Sequence, residues 1–348
     1  MTRYLKYGLA GTSLAVILVS PAAFSQDAIT VSSLAGLQTA INNAPASGRT
    51  ITLAQGVYQE SSPIRIHGKT NLTIQGATSN YDDTVIQGPG INDSSLYVNF
   101  KVNNSDQLTI RNLTVRNSYY HGIQLNNDSD GFTADHVKAI DNGASGFKVS
   151  SPTNASGPAA YSDNGLIQNS YIGFSGTGQR GVVEGVDLVG VNGWTLRGNT
   201  FNNIRKPNGS PAYAAFAKGN SSNVTFENNT VQNSFIGLSF GGGGTGSQYF
   251  RNGDTSVETR GGVIRNNRIS DTTDVGIYMN RASGFEIVNN TVTNNGENTG
   301  SIAIRFSASN GEVHDNVTSG KIRLRNGASA NVYANERIGA DNSAASQP

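Results

Sequence analysis

The sequence predicts an all-β solenoid, a right-handed parallel β-helix, and three observations carry that prediction. One short phrase recurs: LTIRNLTV at Leu108–Val115, GLIQNSYI at Gly165–Ile172, WTLRGNTF at Trp194–Phe201, VTFENNTV at Val224–Val231, GVIRNNRI at Gly262–Ile269 and FEIVNNTV at Phe285–Val292. Each copy alternates apolar and polar residues, the period of a strand, and turns at an Asn, which tolerates corner geometry. A second strand recurs between the copies, opened by Gly122, Gly146, Gly185, Ala214, Gly237, Gly276 and Ala303, at spacings of 24, 39, 29, 23, 39 and 27 residues. A fixed phrase at such a period means stacked coils. The third observation is composition: 42 glycines supply tight turns, and a hydrophobic content of 36% over 348 residues fits only a narrow core column.

The elements follow in order. Residues 1–26 read as a secretory signal peptide: Arg3 and Lys6, an apolar run Leu14–Val19, then small residues at Ala22–Ser25. That run is short for a membrane span, so the mature chain is expected in the periplasm or secreted, with no membrane association after cleavage. In the following ITVSSLAGLQTAINNA, Leu34, Leu37 and Ile41 share one helical face, and Ser32 or Ser33 is a candidate cap. A helix there plugs the open end of the solenoid. The β-helix domain is expected over 27–335 and a loose polar tail over 336–348. The two long spacings carry insertions, Ser151–Asn164 and Gly241–Arg260.

Charge excludes some partners. The net charge is +1 and charged residues are 14%, which offers nucleic acid no electrostatic footprint. There are no cysteines, so thiol chemistry and zinc–thiolate sites are absent. The sequence requires no cofactor, and a monomer is expected.

Strand parity sorts the second strand set. Ile123, Phe147, Val186, Ala215, Leu238, Ile277 and Ile304 point inward. Gln124, Lys148, Asp187, Phe216, Ser239, Tyr278 and Arg305 form one outward column, and Asn126, Ser150, Val189, Lys218, Gly241, Asn280 and Ser307 form another. Column neighbours sit about 4.8 Å apart. Lysines, an aspartate, aromatics and an arginine in register, flanked by both insertions, read as a groove for an extended polymer.

The Asn-corner coils and the helical cap resemble the pectate-lyase-like superfamily of β-helix proteins, over nearly the whole mature chain. Within it, Ala217-Lys218-Gly219-Asn220-Ser221-Ser222-Asn223 followed by VTFENNTV is similar to the segment that bears the catalytic lysine in the chondroitinase B and alginate lyase group. The resemblance implies an anionic polysaccharide as the partner, and a lyase in which Lys218 takes the C5 proton of a uronic acid while an arginine assists departure. Cations near that carbon make its proton acidic, and cations near a lysine lower its pKa. The partner is expected on the second insertion, as Arg251 or Arg260, with Tyr249 stacking on a sugar. His121, Lys148, Asp187, Phe216, Tyr278 and Arg305 are the expected substrate-binding residues, and Lys148 is placed to meet a neighbouring carboxylate.

The chain departs from that group in two places. Where its chondroitin-cleaving branch carries calcium-binding acids, this chain has Pro211, Ala212, Tyr213 and Ala214, so calcium is unsupported and no metal site is assigned. Where the group carries its arginine, this chain has Ser239 and glycines. Two other readings stand beside the lyase: a hydrolase or uronate epimerase using Asp187 or Glu184, and a non-catalytic carbohydrate-binding surface protein.

Overall fold

The computed structural model describes residues 27–338, except 151, 155, 156, 158–160, 177, 179–182 and 297–299. The expected signal peptide lies outside the described residues, as does most of the expected tail. A strand, Asp27–Val31, precedes the helix Leu34–Asn42. Ser33 caps that helix, accepting the Gly36 N–H at 3.0 Å. Leu37, Ala40 and Ile41 are buried beneath it and close the first coil.

Every strand pairing is parallel, between coil and coil. A ten-stranded sheet runs the length of the molecule, from Ile64–His67 through His121–Asn126, Ser145–Ser150, Glu184–Val189 and Tyr213–Lys218 to Ile322–Arg325. A larger sheet takes the remaining strands and bends at the recurring phrase. The bend has a two-residue grammar. Its first residue is left-handed: Asn169, Gly198, Asn228, Asn266, Asn289 and Asp315 all have φ between 51° and 65°. Glycine and short polar residues tolerate that conformation best.

The second residue builds a ladder. Asn199, Asn229, Asn267, Asn290, Asn316 and Asn335 stack, and each after Asn199 offers its Oδ1 to the backbone N–H and side-chain Nδ2 of the Asn one coil earlier. Each Nδ2 of Asn199, Asn229 and Asn267 also reaches a backbone carbonyl, those of Ile167, Leu196 and Phe226. Buried amides are tolerated because each is bonded.

The inward column is as sequence parity predicts. Ile123, Phe147, Val186, Ala215, Leu238, Ile277 and Ile304 are all fully buried. The register of one coil differs from expectation. Ala303 pairs with Tyr278, and Arg305 pairs with Asn280, so Arg305 stands one column over. A slip of two residues keeps every side chain on its face, and alternation alone does not detect it.

Candidate active site: a lysine pair under a clasped loop

Strand register assembles the site. Lys148 and Asp187 are direct neighbours, Asp187 pairs with Phe216, and Val189 pairs with Lys218. Asp187 therefore lies between two ammonium groups. Lys148 makes a short ion pair with its Oδ2, and the Lys218 Nζ stands 3.4 Å from its Oδ1. The Asp187 side chain is only 3% exposed, so the lysines cover it. Phe216, expected to face the substrate, points outward but is 2% exposed. Tyr213 stacks on it at 4.5 Å, the Lys218 Nζ sits 4.2 Å from its ring centre, and the chain crosses it at Gly242, where an added Cβ would lie 2.5 Å from the ring.

The charges set one another. Burial raises the Asp187 carboxyl, but Lys148 and Lys218 outweigh it and hold the group below the usual carboxylate range. Burial and then the charge of Asp187 push Glu184 up to about 7. Burial lowers the pKa of Lys218, but Asp187, Glu184 and Glu258 outweigh burial and raise it. This corrects the expectation of a lowered lysine: the neighbouring cation, Lys148, is itself neutralised by Asp187. Burial, then Lys148, drive His121 down to about 3, so its imidazole is neutral. Its Nδ1 lies 2.7 Å from Ser145 Oγ, which marks it as a bonded wall residue.

The second insertion folds back over Lys218, as its glycines allow; Gly241, Gly243 and Gly244 have φ of 80°, 72° and 70°. Arg251 ties it down. Its Nη1 donates to Asp163 Oδ1 at 2.7 Å, its Nη2 to Asp163 Oδ2 at 2.8 Å, and its Nη1 also to the Gly190 carbonyl at 2.9 Å. Its guanidinium lies 4.3 Å from the Tyr161 ring centre, and its backbone N–H donates to Gly219 O at 2.9 Å. The first insertion grips the second: Asn154 N–H donates to Gln248 O at 2.7 Å, and Asn252 N–H to Tyr161 Oη at 2.7 Å. Glu258, 2% exposed, accepts the Gly219 N–H at 2.9 Å. Under this roof is a hollow of about 350 Å³, lined by Lys148, Ser150, Lys218, Thr245 and Tyr249 among others. A larger hollow of about 910 Å³, walled by Asp93, Asn117, Asp141 and Phe174, opens at the turns before the face strands and has no lysine or arginine in its lining.

The structure thus brings together Lys218, Lys148, Asp187 and Tyr249, with His121 in the next column. It takes the two arginines elsewhere. Arg251 is engaged by Asp163 and is 14% exposed. Arg260 donates to Asp254 and Ser256, both at 2.7 Å, on the turn after the Lys218 strand. Tyr278 lies beyond Ser239 in a small apolar cluster with Ile236, Val275 and Ala303, and Arg305 covers the Phe306 ring at 4.6 Å. Asp163 and Tyr161 were not foreseen. The sole signal for them was their place inside the insertions. No group of three His, Cys, Asp or Glu residues among the described residues is arranged to hold a metal ion.

These features define the class of protein: a right-handed parallel β-helix with a cationic hollow on one face. A family model described as a right handed beta helix region matches residues 184–342. Fold and match agree on the architecture, a right-handed parallel β-helix. An alginate lyase from Paenibacillus sp. str. FPU-7 is similar at 18% identity and a TM-score of 0.62, covering 87% of this chain and 99% of that one. Pectate lyase Pel9A is similar at 15% identity and a TM-score of 0.60, covering 92% and 82%. The A-module of mannuronan C-5 epimerase AlgE6 from Azotobacter vinelandii is similar at 14% identity and a TM-score of 0.56, covering 89% and 93%. At such identities the likeness is one of fold. No curated protein sequence matches the chain. No helix among the described residues is long and apolar enough to cross a membrane.

Proposed function

We propose that the chain is an exported polysaccharide lyase that cleaves a uronate-containing polymer by β-elimination at Lys218. The observation that carries this reading is the pair of ammonium groups, Lys148 and Lys218, lining one roofed hollow around a buried carboxylate. Three donors on each lysine leave hydrogen-bonding capacity for a ligand beyond Asp187. Lys148 faces the uronate carboxylate and favours the charge that develops beside C5. Lys218, as the free amine, takes the C5 proton. The electron pair left behind forms the C4–C5 double bond, the C4–O glycosidic bond breaks, and the new ammonium returns its proton to the departing oxygen.

The raised pKa of Lys218 has a kinetic signature in this scheme. The amine is the minor form at neutral pH, and its fraction grows about tenfold per pH unit below the pKa. Elimination therefore accelerates into the alkaline range.

One observation favours hydrolysis instead: Glu184 and Asp187 have pKa values pushed apart, the division of labour of an acid and a base. Their burial opposes it. At 7% and 2% exposure, and with both lysines over Asp187, neither reaches a glycosidic bond. The test is absorbance in the near ultraviolet with alginates, pectins and glycosaminoglycans, beside Lys218→Ala. A rise that the variant lacks supports the lyase. New reducing ends without absorbance would transfer the reading to hydrolysis, and exchange of the C5 proton without cleavage would transfer it to epimerisation.

A further inference from the structure

The face that carries Lys218 has a second cationic hollow that the elimination scheme does not use. It measures about 490 Å³ and is lined by Arg65, Tyr97, Lys101, Asn103, Gln124 and Asn126, among others. Register fixes its position. Arg65 pairs with Lys101, Lys101 with Gln124, Gln124 with Lys148, and Lys148 with Asp187, so one outward column links both hollows. Lys101 is two coils from Lys148, about 10 Å, and Arg65 is three, about 15 Å.

We infer that this hollow is a distal subsite for an acidic sugar of the same polymer, with Arg65 and Lys101 receiving a carboxylate and Tyr97 stacking on a ring. Three observations carry it. The Arg65 guanidinium and the Lys101 ammonium have no ion-pair or hydrogen-bond partner among the described residues, whereas Lys148 and Arg251 are paired. Two unpartnered cations at one strand spacing repel one another and favour an anion between them. Tyr97 is 51% exposed, and its ring is braced by Tyr120 at 4.5 Å and Tyr119 at 6.1 Å. A ring held by neighbours offers a stacking surface at little loss of side-chain freedom. Finally, Gln124 Nε2 reaches Ser150 Oγ at 3.4 Å, and Ser150 lines the Lys218 hollow. The two hollows therefore share a polar wall with no apolar barrier between them.

The inference rests on the reading of the Lys218 hollow as a uronate site. It adds that the polymer runs along the face toward the helical cap, so the protein prefers chains long enough to fill both hollows. The experiment is titration calorimetry of the full chain with oligomannuronates, oligoguluronates and oligogalacturonates, from disaccharide to hexasaccharide. Lys101→Ala, Arg65→Ala and Tyr97→Ala are compared with Arg268→Ala, which removes a charge on the other sheet. Expected is tighter binding with length in the native chain. Lys101→Ala should weaken the hexasaccharide about tenfold, as for a lost charged hydrogen bond, and leave the disaccharide unchanged. Equal affinity at all lengths, or a loss in Lys101→Ala no larger than in Arg268→Ala, would overturn the subsite and leave the Lys218 reading standing. No binding of any acidic oligosaccharide, with no ultraviolet product from the polymers, would overturn both. Near-ultraviolet circular dichroism of each variant separates a lost contact from a lost fold.

Discussion

Arg251 and Asp163 face each other through two parallel hydrogen bonds of 2.7 and 2.8 Å, although 88 positions separate them in the chain. The pair joins the two insertions above Lys218. A fork of this kind fixes orientation as well as distance.

Opening that fork should loosen the roof. Arg251→Ala leaves Asp163 partly buried beside Tyr161 and is expected to lower stability by about 2 kcal/mol. Limited proteolysis should then cut within 241–260 while the coils remain intact. Binding of acidic oligosaccharides should weaken in parallel. Unchanged protection of the loop would count against the clasp.

Lys218→Ala should abolish the ultraviolet product while acidic oligosaccharides still bind through Lys148. In the native chain kcat should rise with pH at a slope near one, because the raised pKa keeps the amine scarce at neutrality. Asp187→Asn removes the main counter-charge, so the Lys218 pKa falls and the rise moves to lower pH. A flat kcat from pH 6 to pH 9 would remove Lys218 as the base.

Much of this site was legible in the sequence, and the illegible part has physical reasons. The corner phrase announced both the left-handed residue and the Asn ladder, because both requirements are local. The outward position of Lys148, Asp187 and Lys218 followed from parity. Whether Phe216 is free or covered depends on where Gly242 lies, a tertiary matter. The direction of the Lys218 shift depends first on how closely Asp187 and then Glu184 approach its ammonium against its burial, which is a matter of packing. The place of Arg305 was lost to a two-residue slip that parity does not see.

Glu184 should separate binding from turnover. Below pH 7 it is neutral; above, it adds one negative charge beside Lys148, Lys218 and Asp187 and makes the site less favourable to an anion. KM for an acidic polymer should therefore increase as pH rises through 7, even as kcat grows. Glu184→Gln should hold KM flat across that range. Steady-state kinetics at constant ionic strength reads this directly.

A second buried acid reports on the fold. Burial pushes Glu60 up to about 8, against hydrogen bonds from Asn99 Nδ2 at 2.6 Å and the Ile64 N–H at 3.2 Å. A raised carboxyl favours the folded state at low pH, and that contribution is lost as pH climbs from about 4.5 to about 8. Glu60→Gln should be near-neutral at pH 5. At pH 9 it should be more stable than the native chain by ~1 kcal/mol or more in urea unfolding.

The Asn ladder gives the strongest single-site prediction for stability. Asn267, 1% exposed, accepts from Asn229 and donates to Phe226 O and to Asn290. Asn267→Ala takes a partner from buried groups on the coils to either side and should cost about 2–4 kcal/mol. Asn267→Asp, which cannot donate from Oδ2, should recover only part of it. Equilibrium unfolding in urea distinguishes the three chains.

The ladder also has a direction. A rung in the middle is held from both sides, so the column releases only from an end. At one end the helix Leu34–Asn42 covers the first coil. At the other, Leu324 and Val332 remain 43% and 40% exposed although their neighbours Ile304 and Val313 are buried. The solenoid should therefore fray like a zipper with one stop, and amide exchange should advance from the last coils toward the lysine pair, arriving there late. The chemistry sits behind several coils that open before it.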